Sequence, residues 1–205
     1  DIQKQTEKSK ASYFPYVEEK KGVADKLLIE LAKNAAVVVT DDYPTYFVPQ
    51  MTAEAKGSIQ TTYELVDSNG LLPIRIAEKE YVRAHDFRRF MHKNIEDFLV
   101  EVPEKDPLEY LNLKFDEKLL EPIFKKYELV DFNKVNTQDF LNNLNVDKSV
   151  EISDVVGGYN AAKSRLDLFT KKGFNDYSKL RSHPSEDASS KLSPYFHFGH
   201  ISTYE

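Results

Sequence analysis

Ala188-Ser189-Ser190-Lys191-Leu192-Ser193-Pro194-Tyr195-Phe196-His197-Phe198-Gly199-His200-Ile201-Ser202 is the stretch that decides how this chain is read. Ser193 is a good helix N-cap, and Pro194 suits the first helical position, where its fixed φ and missing N–H do no harm. The first N–H groups of a helix lack intrahelical partners and form the positive end of its dipole, so such an entrance attracts an anion. Ser189, Ser190 and Ser193 add hydroxyls, and Lys191 adds a positive charge. Together they suit a phosphate or pyrophosphate. A serine-rich loop that only caps a helix has the same composition, and these residues alone leave both readings open. His197 and His200 share one helical face at three-residue spacing. No third metal ligand lies near them in sequence, so they read as packing and hydrogen-bonding side chains.

Working outward from that stretch, a helix is predicted from Ser153, with Tyr159, Ala162, Leu166 and Phe169 at intervals of three and four. Its stop is at Lys172-Gly173, cations followed by a glycine. A domain boundary is placed near residue 150. Before it, Arg83–Glu101 reads as one long helix with the stripe Phe87, Phe90, Met91, Ile95 and Phe98. Arg88, Arg89, His92 and Lys93 lie off that stripe and read as a solvated basic face. Residues 102–115 read as irregular connection, followed by short helices near Glu117–Lys126 and Thr137–Leu144. Toward the N-terminus, Gly22–Asn34 predicts a helix. The β-branched run Ala35-Ala36-Val37-Val38-Val39-Thr40 predicts a strand buried on both faces of a parallel sheet. Asp41-Asp42 ends that strand and reads as a turn or cap. A helix over Pro49–Ala55 and a strand over Thr61–Val66 follow, closed by the turn cluster Asp67-Ser68-Asn69-Gly70. Helix and strand in this alternation suggest a doubly wound α/β sheet. The expected fold class is therefore α/β followed by all-α.

Hydrophobic residues make up 40% of the 205 residues and charged residues 30%, ordinary values for a globular protein. No apolar run approaches the roughly 18 residues of a membrane span. Asp1–Lys10 is polar and lacks both Met and an apolar core, so it reads as neither a signal peptide nor a natural start. The absence of cysteine excludes disulfides, thiolate zinc sites and a cysteine nucleophile within the chain, and suits the cytoplasm. The first 150 residues carry the whole net charge of −6, while residues 151–205 are neutral. The C-terminal part is thus the less repulsive toward a polyanion.

The stretch from Ser190 to Ser202 resembles the S-x-L-S-P-Y-L-H-F-G-x-I-S signature of the photolyase/cryptochrome family, closest to the branch that includes the class II cyclobutane pyrimidine dimer photolyases. Tyr177, Arg181 and Pro184 match the Y-x-x-x-R-x-x-P element before that signature. Gly157-Gly158 with Ala162, Leu166 and Phe169 is similar to the G-G-x-x-x-A-x-x-x-L-x-x-F helix that opens the family's flavin domain. Val38–Pro44, Val66–Pro73 and His85–Phe90 resemble segments of the α/β domain and the start of the interdomain linker in bacterial members. The resemblance implies three parts: residues 1–75 as the end of a doubly wound antenna domain, 76–150 as a helical linker, and 151–205 as the start of a helical FAD-binding domain. It implies FAD held at its phosphates by Tyr177, Ser189, Ser190, Lys191, Leu192 and Ser193, with Leu192 acting through its backbone. Arg181 is expected at the DNA backbone or at a cofactor phosphate, with a solvated surface arginine as the plain alternative. A second antenna chromophore of unknown identity is expected in the family's α/β domain. The implied activity is light-driven repair of cyclobutane pyrimidine dimers in DNA by an electron from reduced FAD; a cryptochrome-like photoreceptor is the alternative. The expected protein is a cytoplasmic monomer without membrane contact, and none of these residues is an acid, a base or a nucleophile. The chain has no tryptophan, so the family's tryptophan relay is expected elsewhere. The chain also reads as truncated at both ends and inactive by itself.

Overall fold

The structure, a computed structural model, describes residues 1–20, 22–112 and 116–205. Its contacts divide the chain into two units, Ser9–Glu151 and Ile152–Glu205 with Asp1–Lys8. The chain starts with a short helix, α1 (Ile2–Thr6), which belongs to the second of these.

In Ser9–Glu151, α2 (Val23–Ala32) opens at Gly22, whose φ of +84° is a left-handed conformation that favours glycine. The Glu18 carboxylate accepts the Val23 and Ala24 N–H groups at 2.9 and 3.0 Å, satisfying two donors that the helix itself leaves orphaned. Strand β1 (Val37–Asp41), helix α3 (Val48–Ser58) and strand β2 (Thr62–Val66) form a parallel βαβ unit, in register from Val37 opposite Thr62 to Asp41 opposite Val66. Pro49 sits in the first turn of α3, as its fixed φ allows. The Thr61 hydroxyl donates to the Ala32 carbonyl at 2.6 Å and ties the entrance of β2 to the end of α2.

The expected burial of β1 on both faces is not found. Val37 and Val39 are 42% and 55% exposed, alternating with half-buried Val38 and Thr40. Among the described residues the sheet has two strands, and one face is left uncovered. The β-branched run therefore reflects strand propensity rather than double-sided burial.

Helix α4 (Ala84–Asn94) is shorter than the predicted Arg83–Glu101 and passes into a 3₁₀ turn at Ile95–Phe98. The Asn94 side chain donates to the Phe90 carbonyl at 2.7 Å as the helix ends. Val100, Val102 and Pro103 then disfavour its continuation. On the apolar side of α4, Phe87 and Phe90 pack on Tyr81 with ring centroids 5.6 and 5.2 Å apart. The irregular connection after 102 contains a 3₁₀ turn at Pro107–Tyr110; its last predicted residues, 113–115, lie outside the described ones. A 3₁₀ turn at Glu117–Leu120 leads into α5 (Glu121–Phe124). Helix α6 (Thr137–Asn143) is capped by the Asn136 side-chain oxygen, which accepts from Gln138 N at 3.0 Å. The core of this unit is Leu27, Leu120, Ile123 and Tyr127, with Phe14, Tyr16 and Leu31 against it. Burying such side chains contributes roughly 2 kcal/mol each. Phe14 meets Phe124 at 4.4 Å, and the Glu30 carboxylate binds Lys126 and accepts the Tyr127 hydroxyl.

In the second unit, α7 (Tyr159–Lys172) begins six residues after the predicted Ser153. Gly158 holds φ +96°, which helical backbone does not allow, so Gly157-Gly158 is the break. The Asp1 carboxylate accepts the Asn160 N–H at 3.1 Å and caps the new helix. The predicted stop at Lys172-Gly173 holds, and α8 (Phe174–Leu180) and α9 (Ser193–His197) follow. Ala162, fully buried, packs with Leu192, Tyr195 and Ile201, and Leu166 covers them.

Candidate functional site

The signature stretch is held against α7 from two sides. The Tyr195 hydroxyl donates to the Val156 carbonyl at 3.1 Å, and the Gly158 N–H donates to His200 Nδ1 at 3.1 Å. Gly157 lies so close to the imidazole that an added Cβ would come 2.9 Å from His200 Cε1. His200 thus fixes the glycine pair. Among the described residues no group of three or more metal-ligating side chains forms.

The loop 187–193 leads into α9. Arg165 of α7 reaches under it, with Nε donating to the Ser190 carbonyl at 2.7 Å and Nη2 to the Ser189 carbonyl at 3.2 Å. Periodicity missed this residue. Its signal was a cation three residues after Ala162, on the apolar face of the helix. Lys191 sits at φ +55°, and its ammonium pairs with Asp187 four residues back. Leu192 is buried, and its N–H reaches the Ser190 hydroxyl only at 3.4 Å. Ser189 and Ser193 are exposed, and among the described residues their hydroxyls have no hydrogen-bond partner.

One expectation is corrected here. Leu192, not Ser193, takes the N-cap position of α9, and no side chain caps that helix. With Ser193 as first helical residue, the second helical position is Pro194, which has no N–H for an oxygen to accept.

Tyr177 lies half-buried on α8. Its ring is edge-on to Phe169 at 5.3 Å, and the exposed Arg181 guanidinium stands 5.5 Å over it. The described contacts therefore make two groups. One joins Arg165, Asp187, Ser189, Ser190 and Lys191; the other joins Phe169, Tyr177 and Arg181. They do not join the two groups to each other. Near the end of the unit, Tyr159 donates to the Glu205 carboxylate at 3.0 Å, and that hydrogen bond with partial burial raises its pKa.

The loop's chemistry fits an anion. Two free hydroxyls and a weakly bound N–H lie within the seven residues 187–193, with the Arg165 guanidinium behind their backbone. Asp187 partly offsets Lys191, so the hydroxyl and backbone donors carry more of the fit than the lysine does.

In Ser9–Glu151, a cleft of about 630 Å³ opens beyond the carboxyl ends of β1 and β2, where α/β sheets commonly take ligands. Tyr43, Thr52, Lys56 and Arg75 line it, and Arg75 pairs with Asp42. Asp41 accepts the Ser68 hydroxyl and ties the turn after β2.

No protein-family profile matches the chain. Two curated proteins do, both named deoxyribodipyrimidine photo-lyase. One, from Methanothermobacter thermautotrophicus, is 27% identical over 177 residues, covering 86% of this chain and 36% of that protein. The other, from Potorous tridactylus, is 28% identical over 169 residues, covering 80% of this chain and 29% of that protein. The chain is thus similar over most of its length to two deoxyribodipyrimidine photo-lyases. It spans about a third of the length of these relatives. The relationship covers most of the chain, and so reaches beyond the signature loop. The helical structure with a small parallel sheet is compatible with a photo-lyase segment. No helix among the described residues is long and apolar enough to cross a membrane.

Proposed function

We propose that this chain is part of a light-driven, flavin-dependent enzyme that splits cyclobutane pyrimidine dimers in DNA. The observation that carries the reading is the Ser189–Ser193 loop, with its free hydroxyls and its carbonyls held by Arg165. The relatives' name supplies the chemistry: a deoxyribodipyrimidine is the substrate of a photo-lyase.

In this reading Ser189, Ser190 and Ser193 donate hydroxyls to the FAD phosphates, Leu192 donates its N–H, and Lys191 adds charge shared with Asp187. Arg165 holds the loop's carbonyls away from the anion. Tyr177 and Arg181 face the phosphate region and the DNA backbone respectively. Bound there, reduced FAD would supply redox chemistry under blue light: one electron lent to the dimer and taken back once the ring has split, with no net oxidation. The dimer must leave the base stack to reach the flavin. The protein binds, orients and excludes water, and none of the named side chains acts as an acid, a base or a nucleophile.

The domain reading follows the same course. Residues 1–75 end an antenna-type α/β domain, 76–150 link, and 151–205 open the FAD domain. The cleft beyond β1 and β2 is the natural place to seek a second chromophore. The class II-like kinship, a monomeric state and a cytoplasmic location belong to the same proposal.

The test is repair. The protein in its natural length, purified and illuminated with blue light, is expected to carry FAD and restore dimer-containing oligonucleotides, with no reaction in the dark. A preparation that stays without flavin when FAD is added contradicts the proposal. One that binds FAD but leaves dimers intact assigns the protein to light sensing instead.

A further inference from the structure

The outer side of α4 carries a run of cations that the flavin site does not use. His85, Arg88, Arg89, His92 and Lys93 recur at three- and four-residue spacing on the side opposite Phe87 and Phe90, and all five are exposed. Asp86 is the one acid within α4, and its carboxylate lies 3.6 Å from His85. Among the described residues no ion pair engages Arg88, Arg89 or Lys93. The helix dipole favours His92 and Lys93 in the last turn but gives no reason for Arg88 and Arg89 in the middle. Arg89 and Lys93 are four apart, a like-charge spacing that destabilises a helix. In a chain of net charge −6, such an unneutralised stripe is a local exception.

We propose that this face of α4 is a contact surface for the phosphate backbone of duplex DNA. The proposal rests on the DNA-repair reading and adds a second, sequence-independent contact to it. From residue 85 to 93 the stripe runs about 12 Å along the helix. Over that length one DNA strand presents three to four phosphates, at ~3.4 Å each along the axis. The three permanent charges, Arg88, Arg89 and Lys93, occupy about 7.5 Å of it, the axial length of two to three phosphates.

The experiment compares the natural-length protein with the variant Arg88→Gln/Arg89→Gln/Lys93→Gln, measuring binding to undamaged duplex DNA across salt concentrations. Each phosphate contact contributes about −0.9 to the slope of log K against log salt, so the triple variant should lose up to about 2.7 of slope. Affinity should fall by on the order of tenfold or more at moderate salt, with flavin content and circular dichroism unchanged. Arg88→Lys/Arg89→Lys should keep the slope, which separates charge from any effect on folding. An unchanged slope and affinity in the triple variant overturns the proposal while leaving the repair reading standing. A parent protein that binds no undamaged duplex overturns it too, while the repair reading stands or falls on dimer-containing oligonucleotides. Loss of binding to anionic lipid vesicles with DNA binding intact would overturn it as well, and assign the face to a membrane surface.

Discussion

At the scale of the residue, Arg165 is the side chain whose role only the structure could give. Helical spacing marked Ala162, Leu166 and Phe169 as a packed face, and a cation among them had no assigned use. It donates to the carbonyls of Ser189 and Ser190. Charge-assisted hydrogen bonds of this kind are worth about 1.5–3 kcal/mol each. Arg165→Gln is therefore expected to weaken FAD binding by at least about tenfold, measured by flavin fluorescence titration, with Arg165→Lys recovering part of the loss. Unchanged affinity in Arg165→Gln would remove the guanidinium from the site. The serines stood out in composition, but a serine-rich loop that only caps a helix has the same composition, so their use was not legible from it. The exchange of the N-cap from Ser193 to Leu192 was not legible either, since it depends on where the backbone of Lys191 turns to positive φ. Gly158 gives a second test at this scale. Its φ is +96°, and a Cβ would meet the Asp1 carboxylate at 2.6 Å. Gly158→Ala should cost on the order of 1–3 kcal/mol and lower the thermal midpoint. Gly57→Ala, in α3 with open space around it, should instead stabilise by about 0.5–1 kcal/mol. Equal effects of the two would contradict the backbone assignment.

At the scale of the element, the turn after β2 depends on Asp67. Its carboxylate accepts the Ile74 N–H at 2.7 Å and the Asn69 N–H at 3.2 Å. Partial burial opposes the charged form, but these hydrogen bonds, the Asn69 side chain and the nearby Arg75 outweigh it and lower the Asp67 pKa. A lowered folded-state pKa means that Asp67 stabilises the fold above its unfolded value of about 3.9, and that this contribution is lost as pH falls through the folded value. Asp67→Asn is expected to cost about 1 kcal/mol at pH 7 and progressively less as pH falls below the unfolded value, read from denaturant unfolding across that range. A pH-independent cost would contradict the linkage. Element types were largely legible because period and punctuation agree: β1, α3 and β2 lie near their predicted places. Their limits were less so. The start of α7 depends on Gly158 and on the Asp1 cap, which lies far away in sequence. The end of α4 falls within an unbroken apolar stripe. The exposure of Val37 and Val39 depends on what covers the sheet, which strand propensity does not encode.

At the scale of the whole molecule, two units carry different chemistry. Ile152–Glu205 with Asp1–Lys8 holds the loop proposed to bind phosphate, while Ser9–Glu151 holds the parallel sheet, its cleft and the cationic face of α4. The resemblance was legible because the signature is short and dense: Tyr195 and His200 anchor the loop to the glycine pair, and Leu192 and Ile201 pack on Ala162. The cleft beyond β1 and β2 was not legible, since its lining comes from residues spread between Asp42 and Ala77. The most direct test of phosphate holding at Ser189–Ser193 is a parallel titration of FAD and riboflavin into the natural-length protein and its Ser189→Ala/Ser193→Ala variant. Riboflavin shares the ring system but has no phosphates. The variant should bind FAD at least about tenfold more weakly, the effect of losing one or two hydrogen bonds to a charged group, and bind riboflavin as the parent does. Equal binding of FAD by parent and variant, or equal losses for both ligands, would contradict it.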